Sequence, residues 1–197
     1  CCYFGRRCLL AMPPKKLHDA VKSGNVIDVK RHLRTENVND PDQYLQTPLH
    51  VACQAEQTEI VKLLLKKKAN VNAKERNGWT PLHCGAQCGS LDIIELLLNE
   101  EGIEVGELNK DGTSALHYLV RLTQQTPEQV ERYKRLLRTY IAKRGDINSQ
   151  SKHGEGAIHQ ACYRGNLTAV RFLIENGADI NLRNKYASTL LLLLLLL

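Results

Sequence analysis

Histidine and cysteine are the residues from which this chain could build a metal or nucleophilic site. Five histidines, His18, His50, His83, His117 and His159, each follow a Leu or Ile. Cys84 and Cys88 stand one helical turn apart beside His83. Zinc wants about four ligands at roughly 2 Å, and no second pair accompanies this one. The histidines recur at intervals of 32, 33, 34 and 42 residues. Each is held a full structural unit from the next, too far to share one ion. Both sets are therefore assigned to structure, the cysteines as small core residues. Gly154-Glu155-Gly156 has no following Lys, and no phosphate loop, nucleophile elbow or His-Glu zinc motif occurs. No carboxylate pair stands out from a solvated surface. The reading assigns no catalytic residue, no metal ligand and no cofactor.

The elements that place these histidines come from a repeat. Thr47-Pro48-Leu49-His50 and Thr80-Pro81-Leu82-His83 are near copies, and Ser114-Ala115-Leu116-His117 and Gly156-Ala157-Ile158-His159 are degenerate ones. Leu17-His18 begins the first unit and Ser188-Thr189-Leu190 a sixth. Asn39, Asn72, Asn148 and Asn181 each stand 11 residues before the next His slot, with Gly106 in that place in the third unit. Two landmarks in one register, near a 33-residue period, resemble the ankyrin repeat, with Thr-Pro-Leu-His as the most specific signature. The resemblance covers residues 16 to about 189. It implies an all-α ankyrin-repeat solenoid of helix-turn-helix units with β-hairpin or loop tips. It also implies that the slot histidines tie one repeat's turn to its neighbour.

Elementary chemistry supports each slot. Thr47 and Thr80 precede a helix, where a hydroxyl can accept an orphan N–H, and Pro48 and Pro81 follow where a missing N–H is harmless. Ile60, Val61, Leu63, Leu64 and Leu65, with the matching runs Ile93, Ile94, Leu96, Leu97, Leu98 and Val170, Phe172, Leu173, Ile174, are expected to give the second helix one apolar face. Ala52, Ala86 and Ala161 let helices approach closely. Gly24, Gly89 and Gly165 suit a left-handed turn between helices. Glu56 replaces that glycine in the second unit, which predicts local strain. Gly102, Gly145 and Gly177 are expected to end second helices. Aromatics are only 5% of the chain, so Leu and Ala must fill the many small helix contacts.

The fourth unit carries about nine extra residues over the period. Thr126-Pro127-Glu128-Gln129 reads as a capping box that starts a lengthened second helix, from Pro127 to about Lys143. That helix carries Arg132, Lys134, Arg135, Arg138, Lys143 and Arg144. A solvated basic face and a contact surface are both compatible with it. The first unit, with Lys30, Arg31 and Arg34 on its outer face, is expected to cap the stack. Residues 1–15 are expected to be an untranslated or disordered extension, with Met12 as the start. Arg6, Arg7 and Cys8 interrupt the apolar run that a signal peptide would need. Leu190 to Leu197 is too short to span a membrane and reads as a truncation or artefact, so the natural chain is expected to continue past a missing C-terminal cap.

The resemblance implies binding through hairpin tips and the concave face of the first helices. Carried over by slot, the contact residues are Tyr44, Arg76, Asn77, Trp79, Lys110, Arg121, Lys152, His153, Tyr163, Arg164, Lys185 and Tyr186. Tyr, Trp and Arg are typical interface anchors, and Trp79, Tyr163 and Arg76 are expected to anchor one groove. The net charge of +6 points to a partner protein with an acidic surface or segment. Nucleic acid and anionic lipid are not expected as partners, no membrane span is expected, and the chain is expected to be a monomer. Seven scattered cysteines argue for a reducing compartment, cytoplasmic or nuclear. The expected function is a non-enzymatic interaction scaffold. The alternative is a regulatory ankyrin segment of a larger enzyme or channel.

Overall fold

The computed structural model describes residues 16–124 and 126–185. Among them the chain forms ten helices in five pairs: α1 (Lys16–Lys22) and α2 (Val26–His32), α3 (Pro48–Gln54) and α4 (Thr58–Lys66), α5 (Pro81–Cys88) and α6 (Leu91–Leu98), α7 (Ala115–Leu119) and α8 (Pro127–Ala142), α9 (Ala157–Tyr163) and α10 (Leu167–Glu175). The first helices α1, α3, α5, α7 and α9 pack in chain order as one layer, and the second helices α2, α4, α6, α8 and α10 pack as the other. The core is the continuous apolar seam between them, with Leu49, Leu64, Leu82, Ile93, Leu97, Leu116 and Leu173 fully buried. No pair could bury such a face alone, so stacking supplies the stability. The tips contain no strand among the described residues, only the isolated bridges Leu108–Ser114 and Gln150–Gly156.

The predicted turns hold with two corrections. Gly24, Gly89 and Gly165 take positive φ between paired helices, and Glu56 does so at φ 56°, the strained position the sequence indicated. Gly102 and Gly177 also have positive φ after second helices, but in the fourth unit that conformation belongs to Arg144, at φ 64°. Gly145 is required for space instead, since a Cβ there would collide with the Tyr140 ring. The second correction concerns the caps. Thr80 Oγ1 is 3.5 Å from the His83 backbone nitrogen but 2.8 Å from His83 Nδ1. The threonine is bound first to the histidine ring and only weakly to the helix backbone.

The fourth unit is built differently. Its first helix has 5 residues and its second has 16. Thr126 Oγ1 accepts the Gln129 N–H at 3.2 Å and starts α8, with Pro127 at the first helical position. Two tyrosines on α8 do the packing that leucines do elsewhere. Both are fully buried, so each hydroxyl needs a partner: Tyr133 donates to Leu119 O at 3.0 Å and Tyr140 to Val105 O at 2.8 Å. Asn166 then secures the inserted loop by donating to Val120 O and Leu122 O.

Candidate functional site

The hairpin tips form a backbone ladder with one rung per repeat. Arg76 donates its N–H to Tyr44 O at 2.9 Å, Lys110 to Asn77 O at 2.8 Å, Lys152 to Asp111 O at 2.9 Å, and Lys185 to His153 O at 2.7 Å. Each tip is closed by one side-chain oxygen that accepts two backbone N–H groups. Asp42 takes those of Tyr44 and Gln46, Glu75 those of Asn77 and Trp79, Asn109 those of Asp111 and Thr113, and Ser151 those of His153 and Glu155. Four residue types perform one task, which is why no identity-based pattern in the sequence revealed the slot.

The histidines brace the tips from beneath. Nε2 lies 2.9 to 3.1 Å from the carbonyl at one and the same position of the next tip in four cases, Gln46 for His18, Trp79 for His50, Thr113 for His83 and Glu155 for His117, while His159 bonds Leu182 O at 3.1 Å, on the arm that leads into the last tip. Nδ1 accepts the N–H of Thr47, Thr80, Ser114 and Gly156 in the last four. A ring that donates at Nε2 and accepts at Nδ1 is neutral. Burial agrees, pushing the His50 and His117 pKa down and that of His83 to about 4. His18 Nδ1 has no hydrogen-bond partner among the described residues. The Asn landmarks have a matching role at the second-helix ends. Asn39, Asn72 and Asn148 accept the N–H of Asn70, Glu104 and Asp179 in the next repeat.

The expected contact residues separate into distinct groups. Arg76 stacks over the Tyr44 ring at 5.5 Å and donates to Gln43 O at 2.8 Å, so it leans toward the preceding tip. Trp79 is half-buried against Tyr118, with ring centroids 4.9 Å apart, and the Arg121 guanidinium lies 5.9 Å from the centroid of the same tyrosine. Tyr163, at the end of α9, is 76% exposed, and no ring or cation contact joins it to Trp79 or Arg76. The three expected anchors thus do not touch one another: Arg76 pairs with Tyr44, Trp79 with Tyr118, and Tyr163 stands apart. Asn77, Lys110, Lys152, His153, Arg164 and Lys185 are exposed, and Tyr186 lies outside the described residues. Sequence reasoning missed Tyr118. Its position three residues before Arg121, at the end of the first helix of the fourth unit, was the available signal.

The tips carry an uneven charge. Among the acids, Asp42 and Glu75 are occupied by backbone N–H groups, and Glu155 accepts from Gln160 Nε2 at 2.7 Å. Lys110, Lys152 and Lys185 have no ionic partner among the described residues, and Asp111 is the acid left exposed beside them. Thiol chemistry is disfavoured, because burial raises the pKa of Cys53, Cys84, Cys88 and Cys162 and a thiolate is the reactive form. Cys88 is half-buried rather than a core residue, and its thiol lies 3.4 Å from Gln54 O. Among the described residues no group of three His, Cys, Asp or Glu side chains is arranged to hold a metal ion, and no helix is long and apolar enough to cross a membrane.

The basic helix α8 is partly neutralised. Arg132 donates to Asp92 Oδ1 and Glu95 Oε2 of α6, both at 2.6 Å. Lys134 pairs with Glu131 at 3.2 Å, and Lys143 Nζ lies 3.4 Å from Glu100 O.

Comparison with known proteins agrees with this architecture. A family model of ankyrin repeats in three copies matches residues 17–109, and one of ankyrin repeats in many copies matches residues 140–193. The chain is 36% identical over 100 residues to ankyrin repeat and SAM domain-containing protein 6 of Rattus norvegicus, covering 50% of this chain and 10% of that protein. It is 32% identical over 140 residues to a probable serine/threonine-protein kinase of Dictyostelium discoideum, 71% of this chain and 12% of the relative. A 37-residue stretch is 46% identical to the serine/threonine-protein kinase TNNI3K of Mus musculus, 19% of this chain and 4% of the kinase. The chain thus spans about a tenth or less of the length of the first of these relatives and of the mouse kinase.

Proposed function

The chain belongs to the ankyrin-repeat family, whose arrays are generally protein-interaction modules, and on that footing we propose that it is a scaffold that binds an acidic segment of a partner protein along its tips and first-helix face. One observation carries the proposal: Arg76, Lys110, Lys152 and Lys185 occupy the same rung of the tip ladder in successive repeats, while all but one of the neighbouring acids are engaged internally. A rigid row of cations presents no entropy cost for ordering its backbone, and preorganisation of this kind favours affinity. Trp79 and Tyr118, already packed together, supply an aromatic surface beside the row. The unpaired cysteines Cys53, Cys84, Cys88 and Cys162 support a reducing location, cytoplasmic or nuclear, as part of the same proposal.

Affinity capture from a cytosolic extract tests it, using the wild-type chain beside a Trp79→Ala/Arg76→Ala variant and a Lys110→Ala/Lys152→Ala variant. A protein retained by the wild type and lost by both variants supports the scaffold reading, and its retention should weaken as salt screens the row. Identical captures by all three chains would remove the tips from the binding surface. A second reading is favoured by the kinase relatives, in which the array regulates a catalytic domain on the same chain. Phosphotransfer activity in the natural full-length product, changed by the same tip variants, would select it.

A further inference from the structure

The opposite face of the molecule holds a second cationic feature. A cleft of about 390 Å³ lies between α8 and α10, with Lys134 and Arg138 on one wall, Thr168 and Arg171 on the other, and Leu167 and Phe172 beneath. The two flanks of α8 differ in kind. Toward α6, Arg132 meets Asp92 and Glu95. Toward α10, Arg138 meets Arg171, and neither has an ionic partner among the described residues. The acids at the cleft are Glu131, paired with Lys134, and Glu175 on α10. Two guanidinium groups without an ionic partner, the Glu131-paired ammonium of Lys134 and a hydroxyl donor thus line one volume with a single unpaired carboxylate.

We propose that this cleft binds a phosphorylated serine or threonine in a segment of a partner protein. A phosphomonoester carries about −1.5 to −2 charge and three acceptor oxygens, which suits two guanidinium groups and an ammonium better than one carboxylate does. Guanidinium groups also bind phosphate oxygens in pairs. The volume exceeds that of a phosphate alone, and half-exposed Leu167 (51%) offers an apolar contact for the residue next to it. A membrane or nucleic acid would need a broad exposed basic surface, and the pairing of Arg132 with Asp92 and Glu95 removes one of the cations that such a surface would use.

The probe is N-acetyl-phosphoserine amide, titrated into the isotope-labelled chain and followed by NMR at the arginine Nε–H and backbone N–H signals. The expected result is saturable shifts at Arg138, Thr168 and Arg171, with at least tenfold weaker binding of N-acetyl-glutamate amide. Arg171→Glu should abolish the shifts, while Arg135→Glu, an equal charge change elsewhere on α8, should leave them. The Trp79→Ala/Arg76→Ala variant should also bind the probe normally, so this site and the tip surface fail or survive separately. Equal affinity for phosphoserine and glutamate, shifts spread over all basic residues, no shifts, or equal loss in the Arg135→Glu and Arg171→Glu chains would each overturn the proposal. So would co-sedimentation with phosphatidylserine vesicles that depends on Arg138 and Arg171, since it would assign the cleft to a lipid surface.

Discussion

Acidification tests the histidine braces directly. Burial pushes the His83 pKa from 6.5 to about 4, against the opposing pull of the Thr113 carbonyl. The geometry needs the neutral ring, which donates to Thr113 O at 3.1 Å and accepts from Thr80 N–H at 3.2 Å. A proton on Nδ1 would set two donors face to face. The unfolded chain takes up that proton near pH 6.5 while the folded chain resists it, so stability is fully present above pH 6.5 and is lost as pH falls toward about 4. Over that window His83 alone accounts for about 3 kcal/mol, at about 1.4 kcal/mol per tenfold change in proton affinity. His50 and His117 are shifted the same way and steepen the decline. The assay is urea unfolding of the wild type and a His83→Gln variant at pH 7.5, 6, 5 and 4. At pH 7.5 the variant should be less stable by about 1–3 kcal/mol, because the buried Thr80 N–H and Thr113 carbonyl lose a partner. The gap should close with acid and be gone or reversed by pH 4. A gap that stays constant across the range would refute the argument.

Three further outcomes follow from the geometry. Gly145→Ala should lower the unfolding free energy by about 1–3 kcal/mol, since the added methyl meets the buried Tyr140 ring; thermal unfolding together with the near-ultraviolet tyrosine signal would show it. Glu56→Gly should raise stability by a few tenths to about 1 kcal/mol by releasing a left-handed φ of 56°, and an unchanged denaturation midpoint would mean that the turn is unstrained. Arg132→Met should cost no more than about 1 kcal/mol, because its pairs with Asp92 and Glu95 are a third or more exposed, and the difference should shrink in 1 M salt.

The repeat and its helices were legible in the sequence because they depend on local chemistry. A threonine followed by proline favours a helix start through its own cap chemistry, and an apolar residue every third or fourth position gives a helix one face to bury. The five histidines could be placed from their spacing. The lengthened α8 could be read from Thr126 and Pro127. What the sequence could not state was which groups meet across repeats. The tip ladder is made by main-chain atoms, and its closing slot accepts Asp, Glu, Asn or Ser alike, so residue identity carries little trace of it. Arg76 turned to Tyr44, and Trp79 to Tyr118, because side chains in successive repeats, far apart in the chain, are brought side by side by stacking. Gly145 shows the same division: its type suggested a turn, and only the ring of Tyr140 folded above it revealed that the need was for space. Likewise the charges of α8 were countable in the sequence, but their partition into a neutralised flank and an open one was decided by which helices packed on either side.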